Sequence, residues 1–182
     1  MSKNLTIKWH GKAEQGVFTA AAVLARVLAS GGKYVQAFPE FNIKKCGAPQ
    51  KAFNRISNSP IRLHSLVLDA DIEAVLDPRA LKYIDIKLGA KEETIYVINT
   101  TLSAEAVKEK FNLKKNRVFT FAANSTPAYI PLMAIIVHFM ELMPAADFKE
   151  KLLESLSIKR DSDTAAEHIK TLDRALSEVQ EA

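Results

Sequence analysis

The chain has 182 residues, 48% of them apolar, and carries 25 Lys and Arg against 21 Asp and Glu for a net charge of +4, which suits one domain over residues 1–182 with a well-formed core. No apolar run reaches membrane-spanning length, and the opening Met-Ser-Lys-Asn-Leu-Thr-Ile-Lys lacks the unbroken apolar stretch of a signal peptide, so a cytoplasmic protein without a membrane partner is expected. The single cysteine, Cys46, excludes an internal disulfide and an iron–sulfur cluster or structural zinc held by this chain alone.

Leu5 to Trp9 reads as a strand that enters a glycine-flanked turn, Gly11 to Gly16, and Val17 to Ala29 places Val17, Ala20, Ala21, Leu24, Val27 and Leu28 at helical spacing before Gly31-Gly32 stops it. Lys33 to Phe38 is a second strand, and Pro39 to Gln50 fits neither period and reads as a loop. Residues 51–57 and 61–64 alternate polar and apolar around Asn58-Ser-Pro60 and predict a hairpin. Ile72 to Leu76 and Thr94 to Ile98 are short apolar runs of the buried parallel type, followed by the helix starts Asp77-Pro78 and Thr101-Leu-Ser103, and Arg117 to Phe121 is a further strand. Residues 128–143 are apolar nearly all round and predict a buried helix, with Pro127 and Pro131 near its first turn. From Asp163, the residues Ala165, Ile169, Leu172, Leu176 and Val179 form one stripe of a packed helix. This alternation predicts a three-layer α/β/α domain on a mostly parallel sheet, Rossmann-like, with a β-hairpin insertion and C-terminal helices.

The first strand-to-helix turn is a place where such folds bind ligands, because the free N–H groups of a helix start favour an anion. A dinucleotide fingerprint is absent, since Ala13 stands where a glycine would admit a pyrophosphate, and an ordinary turn remains the alternative reading. Charge is uneven: residues 1–64 hold ten Lys and Arg against Glu14 and Glu40, a local excess of +8, and the remainder nets −4. A functional anion-facing patch and a solvated basic surface are both open. Nucleic acid is not expected, because neither a basic recognition helix nor aromatic interleaving is present. His10 at the strand end is either a ligand contact or a structural donor. His64, His138 and His168 are scattered, and Cys46 has no identifiable partner base. No nucleophile elbow, Walker loop or carboxylate pair occurs, so no catalytic residue is expected.

The segments Trp9-His-Gly-Lys-Ala-Glu-Gln-Gly-Val-Phe-Thr-Ala-Ala, Gly32 to Phe41, Gly47-Ala-Pro49, Phe53-Asn-Arg-Ile-Ser57 and Pro60 to Ser65 occur in this order. Together they resemble the gamma subunit of 2-oxoacid:ferredoxin oxidoreductases, with the pyruvate enzyme as the nearest type. The match in detail runs over residues 7–78. The family pattern at the first turn is Gly-x-Gly-Gly-Gln-Gly, and Ala13 and Glu14 replace its middle glycines. Its second motif reads like Pro-x-Tyr-Gly-Pro-Glu-x-Arg-Gly, where this chain has Pro39-Glu-Phe-Asn-Ile-Lys-Lys-Cys-Gly47.

The resemblance implies a non-autonomous subunit, partnered by alpha, beta and delta type chains and indirectly by ferredoxin. The complex decarboxylates a 2-oxoacid oxidatively to acyl-CoA, with thiamine diphosphate, iron–sulfur clusters and coenzyme A on or shared with the partner chains and no cofactor bound by this chain alone. The implied cofactor-facing residues are Gly11, Gln15 and Gly16 at the turn, and Lys44 and Lys45 on the basic loop. A partner surface is expected over Pro39 to Pro49, with Phe41 exposed, and around Arg55 and Arg62. The alternatives are an interaction-only subunit with a degenerate phosphate crevice, or a free-standing binder of a nucleotide-like anion.

Overall fold

The computed structural model describes residues 4–12, 15–40, 48–123, 127–159 and 162–182. The strands are β1 (Leu5–Lys12), β2 (Tyr34–Pro39), β3 (Pro49–Ser57), β4 (Ala70–Val75), β5 (Ala90–Asn99), β6 (Val118–Phe121) and β7 (Gln180–Glu181). The helices are α1 (Val17–Ser30), α2 (Ala104–Phe111), α3 (Tyr129–Phe139), α4 (Ala145–Ser155) and α5 (Asp163–Glu178), with one 3₁₀ turn at Pro78–Lys82. All seven strands form one sheet in the order β2-β3-β1-β4-β5-β6-β7. Its centre, β1-β4-β5-β6, is parallel; β3 and β7 flank it antiparallel, and β2 pairs antiparallel with β3 at the outer edge.

The two faces are covered unequally. Ile7 and Trp9 of β1 point into the large core built with α1, α3, α4 and α5, and the opposite face carries a smaller core of α2 with Val75, Tyr96, Ile98 and Val118. Nine of the eleven α3 residues are buried, as their all-round apolar sequence requires. α1 ends where its sequence signal says: the Gly32 and Lys33 N–H groups return to the Ala29 and Leu28 carbonyls in a Schellman motif. Ser103 and Ser162 cap α2 and α5 by accepting from the N–H groups of Ala106 and Ala165.

The sheet corrects the predicted hairpin. The antiparallel neighbour of residues 51–57 is β2, and residues 61–64 form no strand. With β2 on one side and β1 on the other, β3 has no free edge to offer. The segment after Pro60 instead crosses the face of β3, where the Arg55 guanidinium donates to the Leu63 carbonyl at 3.2 Å and the Ser65 carbonyl at 2.9 Å. Arg55 is therefore 2% exposed, held under this segment rather than standing free beside Arg62; Phe41 lies outside the described residues.

The helix predicted over 128–143 also divides: α3 closes at Phe139, Glu141 turns left-handed at φ 49, and Pro144 caps the start of α4.

Two buried polar networks stitch β1 into the sheet. On the large-core side, Trp9 Nε1 donates to Asn54 Oδ1 at 2.8 Å, and Asn54 Nδ2 donates to the Ala21 carbonyl at 2.9 Å. On the other side, Glu73 of β4 is fully buried between two β1 residues: Lys8 Nζ donates to its Oε1 at 2.8 Å, and His10 Nε2 contacts its Oε2. His10 thus has the structural role, and its Nδ1 is buried without a partner among the described residues.

Candidate functional site

β1 and β4 are parallel neighbours whose onward connections diverge, the first through α1 to β2 and the second to β5 on the opposite side. Such a reversal opens a crevice beyond the carboxyl ends of the strands, and a cleft of about 490 Å³ lies there. Gln15, Gly16 and Thr19 line it from the β1–α1 junction, Asp77 and Arg79 from the end of β4, and Tyr129 from the start of α3.

Gly16 is the N-cap of α1 and adopts φ 76, ψ 25. A side chain there is disfavoured twice, because the left-handed conformation crowds a Cβ and because that Cβ would sit 3.1 Å from the Tyr129 ring. Neither α1, capped by Gly16, nor α3, capped by Ala128, receives a side-chain hydrogen bond at its N-terminus, and neither has an acid in its first turn. Two helix starts therefore border one cleft. The first N–H groups of α1 are open, whereas in α3 the Ile130 N–H is bonded to the Pro127 carbonyl and Pro131 has none, which leaves the Tyr129 N–H; such an edge favours a negatively charged group. Burial raises the Tyr129 pKa, so the phenol is neutral at pH 7 and able to donate.

Gln15 works as a brace. Its Oε1 accepts from the Lys12 N–H at 2.7 Å and its Nε2 donates to Asp77 Oδ2, tying the end of β1 to the end of β4. Asp77 also accepts from the Arg79 N–H at 2.8 Å and from the Arg79 guanidinium at 2.8–3.0 Å. Burial alone raises the Asp77 pKa, but the hydrogen bonds from Arg79 and Gln15 and the Arg79 charge outweigh it and hold the carboxyl down at about 2. Asn99 closes the floor, donating to the Leu76 carbonyl and accepting from the Ala123 N–H, both at 2.9 Å.

The depressed Asp77 pKa makes a pH prediction. The unfolded carboxyl takes up its proton near pH 3.8 and the folded one near pH 2, so the stability it contributes is complete above about pH 4 and disappears as the pH falls through about 2. Urea midpoints of the wild type and Asp77→Asn, measured from pH 5 to 2, are expected to converge across that window. A constant gap between the two curves refutes the assignment.

Of the residues expected from the sequence to face a cofactor, Gln15 and Gly16 reach the cleft. Gly11 lies inside β1, opposite Gln50, and not in the turn, because the strand runs on to Lys12. Lys44 and Lys45 lie outside the described residues. Arg79, Asn99 and Tyr129 were not singled out by sequence reasoning, and Asp77 only as a helix start; the usable signal is a polar residue closing an apolar strand, as at Val75-Leu76-Asp77 and Ile98-Asn99. Among the described residues, no group of three His, Cys, Asp or Glu is arranged to hold a metal, and no helix is long and apolar enough to cross a membrane.

The family model "Pyruvate ferredoxin/flavodoxin oxidoreductase" matches residues 6–178. The chain is 42% identical over 114 residues to the common subunit gamma of pyruvate/ketoisovalerate oxidoreductases from Pyrococcus furiosus, an alignment that covers 63% of this chain and 62% of that relative. It thus spans about three-fifths of the length of that curated relative. The crystal structure of the pyruvate oxidoreductase subunit PORC from Thermotoga maritima superposes with a TM-score of 0.82 at 27% identity, covering 100% of this chain and 99% of that one. A 2-oxoglutarate:ferredoxin oxidoreductase from Magnetococcus marinus shares the fold at a TM-score of 0.71 and 15% identity, over 97% of this chain but 31% of that longer one. With the family pattern running through all but the ends of its sequence and the fold shared from end to end, the chain belongs to the pyruvate ferredoxin/flavodoxin oxidoreductase family.

Proposed function

We propose that the chain is the gamma-type subunit of a cytoplasmic 2-oxoacid:ferredoxin oxidoreductase, which works with alpha, beta and delta type partner chains to convert a 2-oxoacid to acyl-CoA and reduce ferredoxin. The observation that carries this reading is the family match over residues 6–178. The inventory of side chains agrees with a non-autonomous role: one cysteine cannot hold a cluster, and among the described residues that line the cleft no nucleophile is paired with a base. In the complex, thiamine diphosphate on or shared with the partner chains would supply the decarboxylation chemistry, iron–sulfur clusters would carry the electrons, and coenzyme A would take the acyl group.

The cleft suits a phosphate of coenzyme A or of thiamine diphosphate at its wall. The open N–H groups of α1 donate, Gly16 lets the backbone be approached without a Cβ, and Tyr129 offers a neutral hydroxyl. Gln15 and Asp77 hold β1 and β4 at the spacing this requires. The Asp77 carboxylate supports a second reading, a crevice that serves assembly only, since its charge opposes an anion; Arg79 offsets that charge.

The test is reconstitution. The purified chain alone is expected to be colourless and inactive in oxoacid-dependent dye reduction, and the partner chains are expected to reach full turnover only when it is added. Cluster absorbance in the isolated chain, or unchanged turnover on its addition, refutes the subunit reading.

A further inference from the structure

On the face of β2 and β3 away from α1 lies a buried cation that has no counter-charge among the described residues. Arg55 donates to the Gln36 Oε1 at 2.7 Å and to the Leu63 and Ser65 carbonyls, all neutral acceptors, and its guanidinium lies 5.5 Å from the Phe38 ring centre. Among the described residues no carboxylate pairs with it. A guanidinium so enclosed is normally matched by an acid, because neutral acceptors replace its hydration only in part. Burial accordingly lowers its pKa.

Arg55 also lines a notch of about 440 Å³, together with Gln36, Phe38, His64 and Leu66. The strap that roofs it is built inside out: Val67 is buried against Phe53 and Ala70, and Leu63, Leu66 and Leu68 are 49%, 68% and 73% exposed. Leu66 lines the notch, and three exposed leucines within six residues make the strap an apolar surface of the kind that marks an interaction site. The notch also lies in the part of the chain with ten basic residues against two acidic ones.

We propose that this notch is a docking site for an acidic segment of a partner subunit, which inserts an Asp or Glu carboxylate toward Arg55 and lays an adjoining apolar side chain on Leu63 and Leu66. A charge-assisted, two-pronged bond to the guanidinium gives the contact its register, and the leucine rim supplies the desolvated surround that makes such a bond strong. This rests on the subunit reading above, and it adds which face is covered and by what chemistry.

The experiment measures binding of this chain, immobilised, to the partner subunits of the oxidoreductase purified free of it, for the wild type, Leu66→Glu, Leu66→Lys and Arg55→Lys, with thermal melts to check folding. Leu66 is exposed, so its variants are expected to melt with the wild type. Leu66→Glu sets a carboxylate against the incoming one and should raise Kd at least about tenfold, whereas Leu66→Lys, whose stem stays apolar and whose charge attracts, should raise it less than about threefold. Arg55→Lys loses the planar fork and should weaken binding even where its melt is unchanged.

Equal Kd values for the wild type and Leu66→Glu overturn the docking site and leave the subunit reading standing. A wild-type chain that binds none of the partner subunits overturns both. Calorimetry with 4-methylpentanoate on the isolated chain separates the remaining source of the same chemistry: sub-millimolar binding that Arg55→Lys abolishes makes the notch a small-carboxylate site and refutes the partner segment.

Discussion

Replacing Glu73 with alanine is expected to destabilise the fold by about 3–5 kcal/mol, the range for a buried ion pair stripped of one partner. Glu73 is fully buried in β4 and engages Lys8, 4% exposed, and His10, 1% exposed. Without it, the Lys8 ammonium is left with the Leu88 carbonyl at 3.4 Å, and neither His10 ring nitrogen has a partner among the described residues. Because Lys8 and Glu73 are aligned across the β1–β4 pairing, the uncompensated charge falls in the centre of the sheet, out of reach of water.

The pair itself need not contribute much net stability, since desolvating both charges offsets most of their attraction. The double substitution Lys8→Met with Glu73→Met is therefore expected to cost less than half as much as Glu73→Ala. Urea unfolding at pH 7 measures both quantities. A loss under about 1 kcal/mol for Glu73→Ala means that the carboxylate is solvated, contrary to its zero exposure.

Lys8 and Glu73 also show where the sequence stops being legible. Leu5 to Trp9 reads as a strand, and only the pairing of β1 with β4, 65 residues on, reveals that the face carrying Lys8 and His10 is covered too. Periodicity reports which residues share a face and is silent about what lies opposite. Local signals did better: the glycine pair that ends α1 and the serine caps of α2 and α5 act through neighbours a few residues away. The hairpin failed for the same reason in reverse. Residues 51–57 and 61–64 have matching alternation, but the edge they would share is taken by β1 and β2. At the cleft, the turn marked by Gly16 was visible because its conformation demands glycine, whereas Arg79, Asn99 and Tyr129 enter from three distant segments that only the sheet order brings together.

Substituting Gly16 is expected to damage stability and ligand affinity by separable amounts. At φ 76 an L-residue costs about 1–2 kcal/mol, and a Cβ 3.1 Å from Tyr129 Cδ1 and 3.2 Å from Cε1 forces the ring to shift by a few tenths of an ångström. Tyr129 is the first residue of α3 and 8% exposed, so its displacement moves the second helix start as well as crowding the first. Gly16→Ala should lower stability by about 1–2 kcal/mol through the backbone, and Gly16→Val should lower it further, because its branched side chain meets the ring and the preceding turn together. If a phosphate rests on these N–H groups, the assembled complex should bind coenzyme A at least about tenfold more weakly in the alanine variant, the loss of about 1.4 kcal/mol of contact. Thr19→Ala, on the same wall one turn into α1, serves as the control that changes the lining without touching the cap. Calorimetric titration of the complex with coenzyme A, beside urea unfolding of the isolated chain, reads the two effects apart. Destabilisation with unchanged affinity makes Gly16 a packing device and moves the ligand phosphate away from the β1–α1 junction; loss of both, with Thr19→Ala close to wild type, ties the phosphate to the helix start that Gly16 keeps open.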